Sequence, residues 1–393
     1  MPQPLLFTPL TIRGTTLKNR IVVAPMHQYA AVHGHMTDWH LMNYGRFAAG
    51  GAGLVFIEST KVERRGCGTV GDVGLWADEF TPGMKRIADF IRAQGSVPAL
   101  QLGHSGRKAR AFRPWEGGKP LTREAAEAQG ITDWEAWELV APSAIPAGEN
   151  EPVPRALERS EIPQVIQNWV DAARRAHEAG VEVLELHGAH GFLLHEFLSP
   201  VANQRTDEYG GSEANRMRLV IEVVEAVRTV WPEDKPLFLR LSAQDDAGWG
   251  LQESAALSRI VGPKGVDVID CSGGGMTGAR PNSAPLGYGY QVPSAEHVKR
   301  EGHIKTMAVG LIVHADQAEA ILQEGRADLA ALAREILYNP NWPLDAARKL
   351  GAEIGFDAIP PAGGWWLGKR AQAAKDVVPS TYSPGLGNTG LPS

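Results

Sequence analysis

The chain has 393 residues, a net charge of −6, 43% hydrophobic residues and 21% charged residues. This length suits one large α/β domain or two smaller ones, and the negative charge argues against nucleic acid or an anionic membrane as a partner. With 2 cysteines the chain has too few for a disulfide framework or a thiolate zinc site. Residues 1–20 lack the apolar core of a signal peptide and no apolar run is as long as a membrane span, so we predict a cytoplasmic enzyme with a small-molecule substrate.

Short buried strands alternate with amphipathic helices along most of the chain. The predicted strands are residues 20–24, 53–58, 96–102, 181–186, 236–242, 266–272, 305–309 and 327–332. The predicted helices are residues 41–50, 80–94, 160–180, 215–230, 253–261, 293–301 and 314–325. Eight strand–helix units in a chain of this length predict an α/β fold of the (β/α)8 TIM barrel type rather than a doubly wound sheet.

Two segments fall outside this alternation. Residues 111–142 contain Pro, Gly and Trp with little periodicity, which predicts a long surface excursion after the third strand rather than a domain boundary. Residues 371–393 are rich in Pro, Gly, Ser and Thr. We therefore predict one barrel domain over residues 1–370 and a C-terminal tail over residues 371–393 that is mobile or contacts a neighbouring subunit.

The segment around which the chain is organised is residues 181–203, VEVLELHGAHGFLLHEFLSPVAN. His187 and His190 stand where its strand stops, the edge at which barrels place their chemistry. Two imidazoles on one loop suit the binding of a substrate oxygen. Zinc ligation and two ordinary surface histidines are the alternatives that this segment alone leaves open.

The other strand ends favour a cofactor over a metal. No acidic residue accompanies the two histidines closely enough in sequence to suggest a zinc ligand set, and the HxxH spacing alone is weak evidence, so we predict no metal site. Gly310 and Arg334 follow strands seven and eight, where barrels commonly hold phosphate. Gln101 suits a ring edge with adjacent C=O and N–H groups, and Arg240 suits negative charge on that ring. A phosphate-bearing anionic heteroaromatic cofactor such as a reduced flavin fits this set.

One glycine pattern is misleading. Gly273, Gly275 and Gly278 satisfy the dinucleotide-binding pattern GxGxxG after a strand. The next residues, ARPNSAP, cannot begin the required helix cleanly, so we do not predict a Rossmann site.

Longer motifs indicate a family. They are FTPLTIRGTTLKNRIVVAPM, QLGHSGRKA, PWEGG with APSAI, ELHGAHGFLLHEFLSPVANQRTDEYGGS and NRMRL. In these motifs the chain resembles, from Leu6 to about Trp366, the Old Yellow Enzyme family of FMN-dependent ene-reductases, in the bacterial branch that includes xenobiotic reductase A. The resemblance implies FMN as cofactor, NADPH or NADH as reductant, and hydride transfer through FMN N5 to the β-carbon of an activated alkene such as an enone.

The resemblance also implies roles for individual residues. His187 and His190 match the pair that holds the carbonyl oxygen of the substrate over the flavin. The residues that match flavin contacts are Ala24, Pro25, Met26 and Ser59 along the ring, Gln101 and Arg240 on its pyrimidine side, and Gly310, Ala333 and Arg334 at the phosphate. The family often has glycine where Ala333 stands, and Lys108 falls in a matching motif near the cofactor or its loop.

At two positions the chain differs from the usual residues of the family, and both differences bear on proton transfer and on the substrate. Phe192 replaces the usual tyrosine, the implied proton donor, and His27 replaces a cysteine that tunes the flavin. The candidates for donating the proton instead are then Tyr29, Tyr288, Tyr290 and water. A histidine at position 27 would raise the flavin potential if it is charged, or would bind substrate. The alternative is that both changes are drift in an enzyme whose substrate needs no strong acid. We therefore place Tyr29 and His27 among the candidate catalytic residues and Phe192 in the substrate pocket.

The C-terminal region bears on assembly. In this branch a C-terminal aromatic or arginine of one subunit reaches the active site of its neighbour, and Trp365 or Trp366 is the candidate here. A dimer or tetramer follows as an expectation. Two alternatives to the ene-reductase stay open: a dehydrogenase or demethylase of the same fold acting on C–N bonds or saturated substrates, and a flavoprotein that binds ligands with negligible turnover.

Overall fold

The centre of the fold is a closed barrel of eight parallel strands. The computed structural model describes residues 3–277, 286–352, 354–356 and 359–373. Each barrel strand pairs with the next along the chain, and the last pairs with the first. The strands are β1 Ile21–Val23, β2 Leu54–Lys61, β3 Val97–Gly103, β4 Val183–Gly188, β5 Leu237–Ser242, β6 Val268–Ser272, β7 Lys305–Ala308 and β8 Leu329–Leu332. The predicted (β/α)8 barrel is confirmed.

Helices follow the strands and surround the barrel. They are α1 Asp38–Ala49, α2 Thr81–Ala93, α3 Arg123–Ala128, α4 Ile162–Glu178, α5 Leu193–Leu198, α6 Glu213–Arg228, α7 Leu251–Val261, α8 Val292–Gly302, α9 Ala315–Gln323, α10 Arg334–Tyr338, α11 Trp342–Lys349 and α12 Pro361–Ala373. Local chemistry sets several ends. The Ser212 side chain accepts a hydrogen bond from Asn215 N at the start of α6, and Gly180 adopts φ +80° after α4, a conformation that glycine takes without strain.

Alternation along the strands divides the core into two layers. Val183, Phe238 and Val268 pack in the barrel interior. Leu184 points the other way and packs in the layer between strands and helices. Each such fully buried side chain stabilises the fold by about 1.5–3 kcal/mol.

Some segments differ from the sequence-based expectation. Leu10–Ile12 and Thr15–Leu17 form an antiparallel hairpin that packs against the interior cluster and was not predicted. The excursion after β3 contains the short helix α3 and a small apolar cluster of its own around Trp137. Helix α12 was not predicted either, and it includes residues 371–373 of the expected tail. Residues 374–393 of that tail, Gly278 and residues 279–285 lie outside the described residues.

Within the described part of the chain, no helix has the length and apolar character needed to cross a membrane. The same residues contain no group of three or more His, Cys, Asp or Glu side chains arranged to hold a metal ion.

Candidate active site at the carboxyl ends of the barrel strands

The inward-facing side chains of the barrel change from apolar to polar towards the carboxyl ends of the strands. In β4 the inward positions are Val183, Glu185 and His187, because side chains two apart share a face. The polar inward-facing residues of neighbouring strands are Gln101, Glu185, His187, Arg240, Asp270 and Ser272. The strand period therefore gathers these groups into one buried polar layer at the mouth of the barrel.

His187 and His190 lie side by side at this mouth. Their ring centroids are 5.2 Å apart. His187 is 3% exposed, and its Nδ1 has no hydrogen-bond partner among the residues that the structure describes. His190 Nε2 lies 2.7 Å from Ser272 Oγ. The structure therefore brings the two predicted histidines together and leaves one buried ring nitrogen for a ligand.

The turn that carries His190 is held in a strained conformation. His190 has φ +60°, a left-handed value that costs a non-glycine residue free energy. Its backbone N–H donates to Ser242 Oγ at 2.9 Å, and its carbonyl accepts from Lys108 Nζ at 2.9 Å. Lys108 also donates to Gly275 O, and a Cβ on Gly275 would lie 2.5 Å from His190 Cα. Two side chains, Ser242 and Lys108, and the close approach of Gly275 thus fix the backbone that carries the second imidazole.

Both histidines are neutral near pH 7. Burial is the largest cause that lowers the pKa of His187 and of His190 well below the usual value, and the positive charge of Arg240 lowers both further. A neutral imidazole has one N–H donor and one acceptor nitrogen. Each ring can therefore donate one hydrogen bond without introducing a charge.

A carboxylate and amide cluster lies on the strands beside the pair. Gln101 Nε2 donates to Glu185 Oε1 at 2.8 Å, and Arg240 Nη1 lies 2.8 Å from Asp270 Oδ2. Burial raises the pKa of Glu185 well above the usual value, and the charge of Asp270 adds to this. The buried Arg240 Nε has no partner in the described part of the chain. Arg240 is thus both a structural ion-pair partner and a source of an uncommitted donor.

His27 contacts a buried charge pair that the sequence did not reveal. Lys61, the last residue of β2, is completely buried, and its Nζ lies 3.1 Å from His27 Nε2 and 3.4 Å from Asp72 Oδ2. Lys61 Nζ also lies 3.4 Å from Ser59 Oγ. Burial lowers the pKa of His27, and the neighbouring Lys61 lowers it further. His27 is therefore a neutral ring with a cation at Nε2.

Aromatic rings form a continuous row along one side of the site. The row contains, in order, His190, His187, Phe192, His27, Tyr29 and Trp115. The Phe192 ring centroid lies 5.1 Å from that of His187 and 6.4 Å from that of His27. His27 stacks on Tyr29 at 5.2 Å, and Trp115, supplied by the excursion after β3, contacts Tyr29 at 5.6 Å. Three other predicted site residues, Phe192, His27 and Tyr29, are thus contiguous with the histidine pair, and so is Trp115.

The remaining predicted flavin contacts also lie at strand ends. Ala24, Pro25 and Met26 directly follow β1, and Ser59 lies near the end of β2. Gly310 follows β7 with φ +113°, and a Cβ there would lie 2.9 Å from Gln291 Nε2. Ala333 and Arg334 begin α10, directly after β8, and β7 and β8 are hydrogen-bonded neighbours. Gly310, Ala333 and Arg334 therefore share one sector of the barrel mouth, and Arg334 is exposed there.

Four predicted residues lie apart from the row of rings. Trp365 and Trp366 lie on α12, 56% and 69% exposed, and contact each other. Tyr288 packs on His314, and Tyr290 lies beside Gly310. Neither tyrosine has a ring contact with the histidine pair or with Phe192 within the described residues.

Comparison with known proteins assigns this barrel to a family. A model of the NADH:flavin oxidoreductase / NADH oxidase family matches residues 5–353. The chain belongs to this family. It is 42% identical over 356 residues to an NADPH dehydrogenase of Geobacillus sp. (strain WCH70), a match that covers 90% of this chain and 96% of that relative. An NADPH dehydrogenase of Bacillus subtilis (strain 168) is 40% identical over 353 residues, which cover 89% of this chain and 96% of the relative.

A solved structure gives the same result. Morphinone reductase superposes with a TM-score of 0.72 at 27% identity, over 90% of this chain and 91% of that one. Together these matches confirm the resemblance to the Old Yellow Enzyme family. They also confirm the predicted enzyme class, an FMN oxidoreductase that uses NADPH or NADH.

Sequence reasoning missed several residues of this site. Ser242 and Ser272 hold His190, and both end strands whose carboxyl edges were recognised as the site. Their position was the available signal, but a serine at a strand end has no distinctive chemistry by itself. Lys61 and Asp72 were missed because only the fold brings them to His27.

Proposed function

We propose that this enzyme is an ene-reductase that reduces the C=C bond of an enone-type substrate, with the carbonyl oxygen held by His187 and His190. The observation that carries the proposal is the pair of neutral imidazoles at the barrel mouth, with His187 Nδ1 buried and without a partner in the described residues. A buried nitrogen of this kind is costly unless a ligand completes its hydrogen bonding.

The residues present fit FMN. The unpartnered Nε of Arg240 and the amide of Gln101 supply polar groups for the pyrimidine edge of the ring. Ala24, Pro25, Met26 and Ser59 would border the ring. Gly310, with no side chain between its backbone and Gln291, and the exposed Arg334 would hold the phosphate, with Ala333 beside them. When bound, FMN supplies two-electron hydride transfer between the nicotinamide and the alkene.

The protein's own contribution is positioning and charge stabilisation. His190 Nε2 and Ser272 Oγ are hydrogen-bonded at 2.7 Å. In the proposed arrangement Ser272 Oγ donates to Nε2, which places the N–H of His190 at Nδ1 for the substrate. His187 donates from the adjacent ring. Hydrogen bonds from both rings stabilise the negative charge that develops on the carbonyl oxygen as the β-carbon gains hydride. Because neither ring is charged, the substrate oxygen is not protonated in the ground state.

A second candidate rests on Phe192. A phenylalanine at the position of the family's implied proton donor suits a reaction that removes hydride from a saturated or C–N substrate, since that direction needs no acid at this position. The other alternative, that the protein is a flavoprotein that binds ligands with negligible turnover, is motivated by the same residue. Both differ from the ene-reductase in whether an alkene reoxidises the reduced enzyme.

We also propose a homo-oligomer in which Trp365 or Trp366 covers the active site of a neighbouring subunit. The two indoles are large, apolar and more than half exposed on α12, which is unfavourable for a surface that stays in water. Size-exclusion chromatography of Trp365→Ala/Trp366→Ala should show a lower mass than the native protein. An unchanged mass with unchanged enone binding contradicts this assembly.

The function is tested by anaerobic spectroscopy of the purified holoenzyme. NADPH should bleach the flavin band, and 2-cyclohexenone should restore it. Bleaching without recovery supports the dehydrogenase or demethylase instead. His187→Ala/His190→Ala should lose enone and phenol binding, at least 100-fold in Kd, while FMN stays bound, because two hydrogen bonds to the ligand oxygen disappear. Unchanged enone kinetics in that double variant contradict the assigned roles.

A further inference from the structure

A buried lysine and aspartate lie beside His27, with the lysine at the ring edge that carries Nε2. Lys61 Nζ lies 3.1 Å from His27 Nε2 and 3.4 Å from Asp72 Oδ2, and the side chains of the charge pair are 0% and 1% exposed. The ammonium also lies 5.3 Å from the centre of the Phe192 ring. A buried ammonium aimed at an imidazole nitrogen, next to the position that lacks a phenol, is unusual and costly to maintain.

We propose that His27 and Lys61 form a proton relay that delivers the α-carbon proton during alkene reduction, in place of the phenol absent at Phe192. The proposal rests on the proposed ene-reductase function and adds to it the source of the proton.

The hydrogen bond fixes the direction of the relay. A lysine ammonium only donates, so His27 Nε2 accepts and the ring proton is at Nδ1. A neutral imidazole N–H is by itself too weak an acid. The ammonium removes this obstacle, because its proton moves to Nε2 as the Nδ1 proton leaves.

The step balances. The hydride carries the electron pair to the β-carbon, and the resulting enolate takes the Nδ1 proton of His27 at its α-carbon. One Nδ1–H bond of His27 breaks and one C–H bond forms, while one Nζ–H bond of Lys61 breaks and one Nε2–H bond forms. His27 ends as the other neutral tautomer, Lys61 ends as a neutral amine, and the substrate loses its negative charge. Solvent then supplies one H⁺ that restores the ammonium of Lys61. His27 returns to the Nδ1–H tautomer by releasing its Nε2 proton to water and taking one proton from water at Nδ1, so each turnover consumes one H⁺.

The surroundings of Lys61 supply both its charge and a route for that proton. Burial, the largest single cause, acts to raise the pKa of Asp72. The charge of Lys61, the neighbouring His27 and the hydrogen bonds from Thr69 and Gly68 together hold this pKa below the usual value, so Asp72 remains an anion that stabilises the ammonium. Asp72 also borders a cavity of about 420 Å³ whose mixed lining includes the polar side chains of Thr69 and Arg64 and the apolar ones of Val70 and Trp76. That volume and polarity suit water, which needs two to four polar partners.

His27 is better placed than Tyr29 for this role. Its ring is next to Phe192, whereas the ring of Tyr29 lies beyond it in the row. Burial, with the charges of Asp72 and Glu58, raises the pKa of Tyr29 to about 12, which makes the phenol a weaker acid than usual. The charged groups that act on His27 are Lys61, Asp72 and Glu58, and of these only the lysine can donate.

The first test is the reoxidation of NADPH-reduced holoenzyme in stopped flow with two alkenes. His27→Gln keeps a polar side chain but cannot relay a proton. We expect it to be reoxidised about 100-fold more slowly than the native enzyme by 2-cyclohexenone, in line with the usual contribution of a general acid. Reoxidation by 1-nitrocyclohexene should stay within about threefold, because a nitronate is stable enough to leave and be protonated in water.

A rescue separates proton donation from a structural role. Phe192→Tyr places a phenol at the position that the relay replaces. In the His27→Gln background it should restore enone reoxidation to within about tenfold of the native rate. A loss caused by a distorted pocket would not be repaired by a phenol.

A second variant and a spectroscopic readout test the lysine. Lys61→Met/Asp72→Asn removes both charges and so avoids an unpaired buried ion. It should lose enone reoxidation as His27→Gln does. In ¹⁵N-histidine NMR of the native protein without substrate, Nδ1 of His27 should carry the proton and Nε2 should show an acceptor shift. That pattern should disappear in the double variant.

The outcomes are distinguishable. Equal enone rates in the native enzyme and His27→Gln overturn the relay and leave the ene-reductase intact. A loss in Tyr29→Phe with none in His27→Gln assigns the proton to the tyrosine and also overturns it. An Nε2–H tautomer of His27 in the native spectrum overturns the proposed direction. A native enzyme that neither alkene reoxidises contradicts the proposed function itself, whatever His27 does.

Discussion

A single buried ion pair has consequences for the stability of the whole site. Lys61 and Asp72 are both buried, and Asp72 also accepts hydrogen bonds of 2.7 Å from Gly68 N and from Thr69 Oγ1. Removing one member of a buried pair leaves the other as an uncompensated charge, which is strongly destabilising, whereas replacing both is much less so.

The first prediction concerns this pair. Lys61→Met should lower the free energy of unfolding by about 3 kcal/mol, because Asp72 remains buried as an anion without its cation. Lys61→Met/Asp72→Asn should recover most of that loss, since the asparagine can still accept from Gly68 N. Urea unfolding followed by tryptophan fluorescence measures both. If the double variant is less stable than the single one, the pair does not act as a compensated charge pair.

The residue types in the sequence predicted the two site histidines but not the buried residues around the site, such as Lys61. His187 and His190 were predicted because two imidazoles at a strand end are uncommon and informative. Lys61 ends the buried run LVFIESTK, where a lysine looks like the end of a strand rather than part of a site. Its contacts with His27 and Asp72 are tertiary, and spacing along the chain does not encode them.

At the scale of elements, the turn after β7 contains one of the proposed phosphate contacts, Gly310. Gly310 has φ +113°, and a Cβ would lie 2.9 Å from Gln291 Nε2 and 3.1 Å from Tyr290 Cε1. Gly325, after α9, also has positive φ, +70°, but a Cβ there would meet nothing within 4 Å. Gly325 precedes β8, so it lies at the opposite end of the barrel from the site.

The second prediction compares these two glycines. Gly310→Ala and Gly325→Ala should each lower the free energy of unfolding, by about 1 kcal/mol or more, because both force alanine into a left-handed conformation. Only Gly310→Ala should also weaken FMN binding, at least tenfold in Kd by fluorescence titration of the apoprotein, if this turn holds the phosphate. Equal FMN affinities in the two variants would place the phosphate elsewhere.

Periodicity predicted the strands and helices of the barrel itself, but it did not predict the segments added to the barrel, the N-terminal hairpin and helix α12. The strands and helices of the eight units were found because buried strands and amphipathic helices have different repeats. The hairpin Leu10–Ile12 with Thr15–Leu17 was missed because each strand has three residues, too few for a pattern. Helix α12 was missed because its sequence, PAGGWWLGKRAQA, contains three glycines and no apolar stripe.

At the scale of the whole molecule, the buried histidines and the buried Glu196 change the free energy of unfolding in opposite directions as pH rises. Burial lowers the pKa of His187, His190 and His195, so their contribution to stability is complete above about pH 6.5 and is lost as pH falls towards their folded pKa values. Burial raises the pKa of Glu196 to about 8. Its contribution is complete below about pH 4.5 and is lost as pH rises through 8.

The third prediction isolates the carboxyl group. Glu196 is completely buried on α5, where Oε1 accepts from Arg107 N at 2.8 Å and Oε2 has no partner among the described residues. Glu196→Gln keeps the acceptor and removes the ionisation. The variant should therefore match the native protein near pH 5 and exceed it by a few kcal/mol at pH 7.5, since each unit of pKa shift corresponds to about 1.4 kcal/mol.

Urea unfolding at a series of pH values measures that difference, with Glu127→Gln, an exposed glutamate on α3, as the matched control. The control curve should run parallel to the native one, because the side chain of Glu127 is exposed to water in the folded protein. The Glu196→Gln curve should diverge upwards between pH 5 and 7.5, while the acid-side loss from the buried histidines remains in all three proteins. A constant offset across this range would mean that Glu196 is ionised throughout, held as an anion by Arg107 and Lys108.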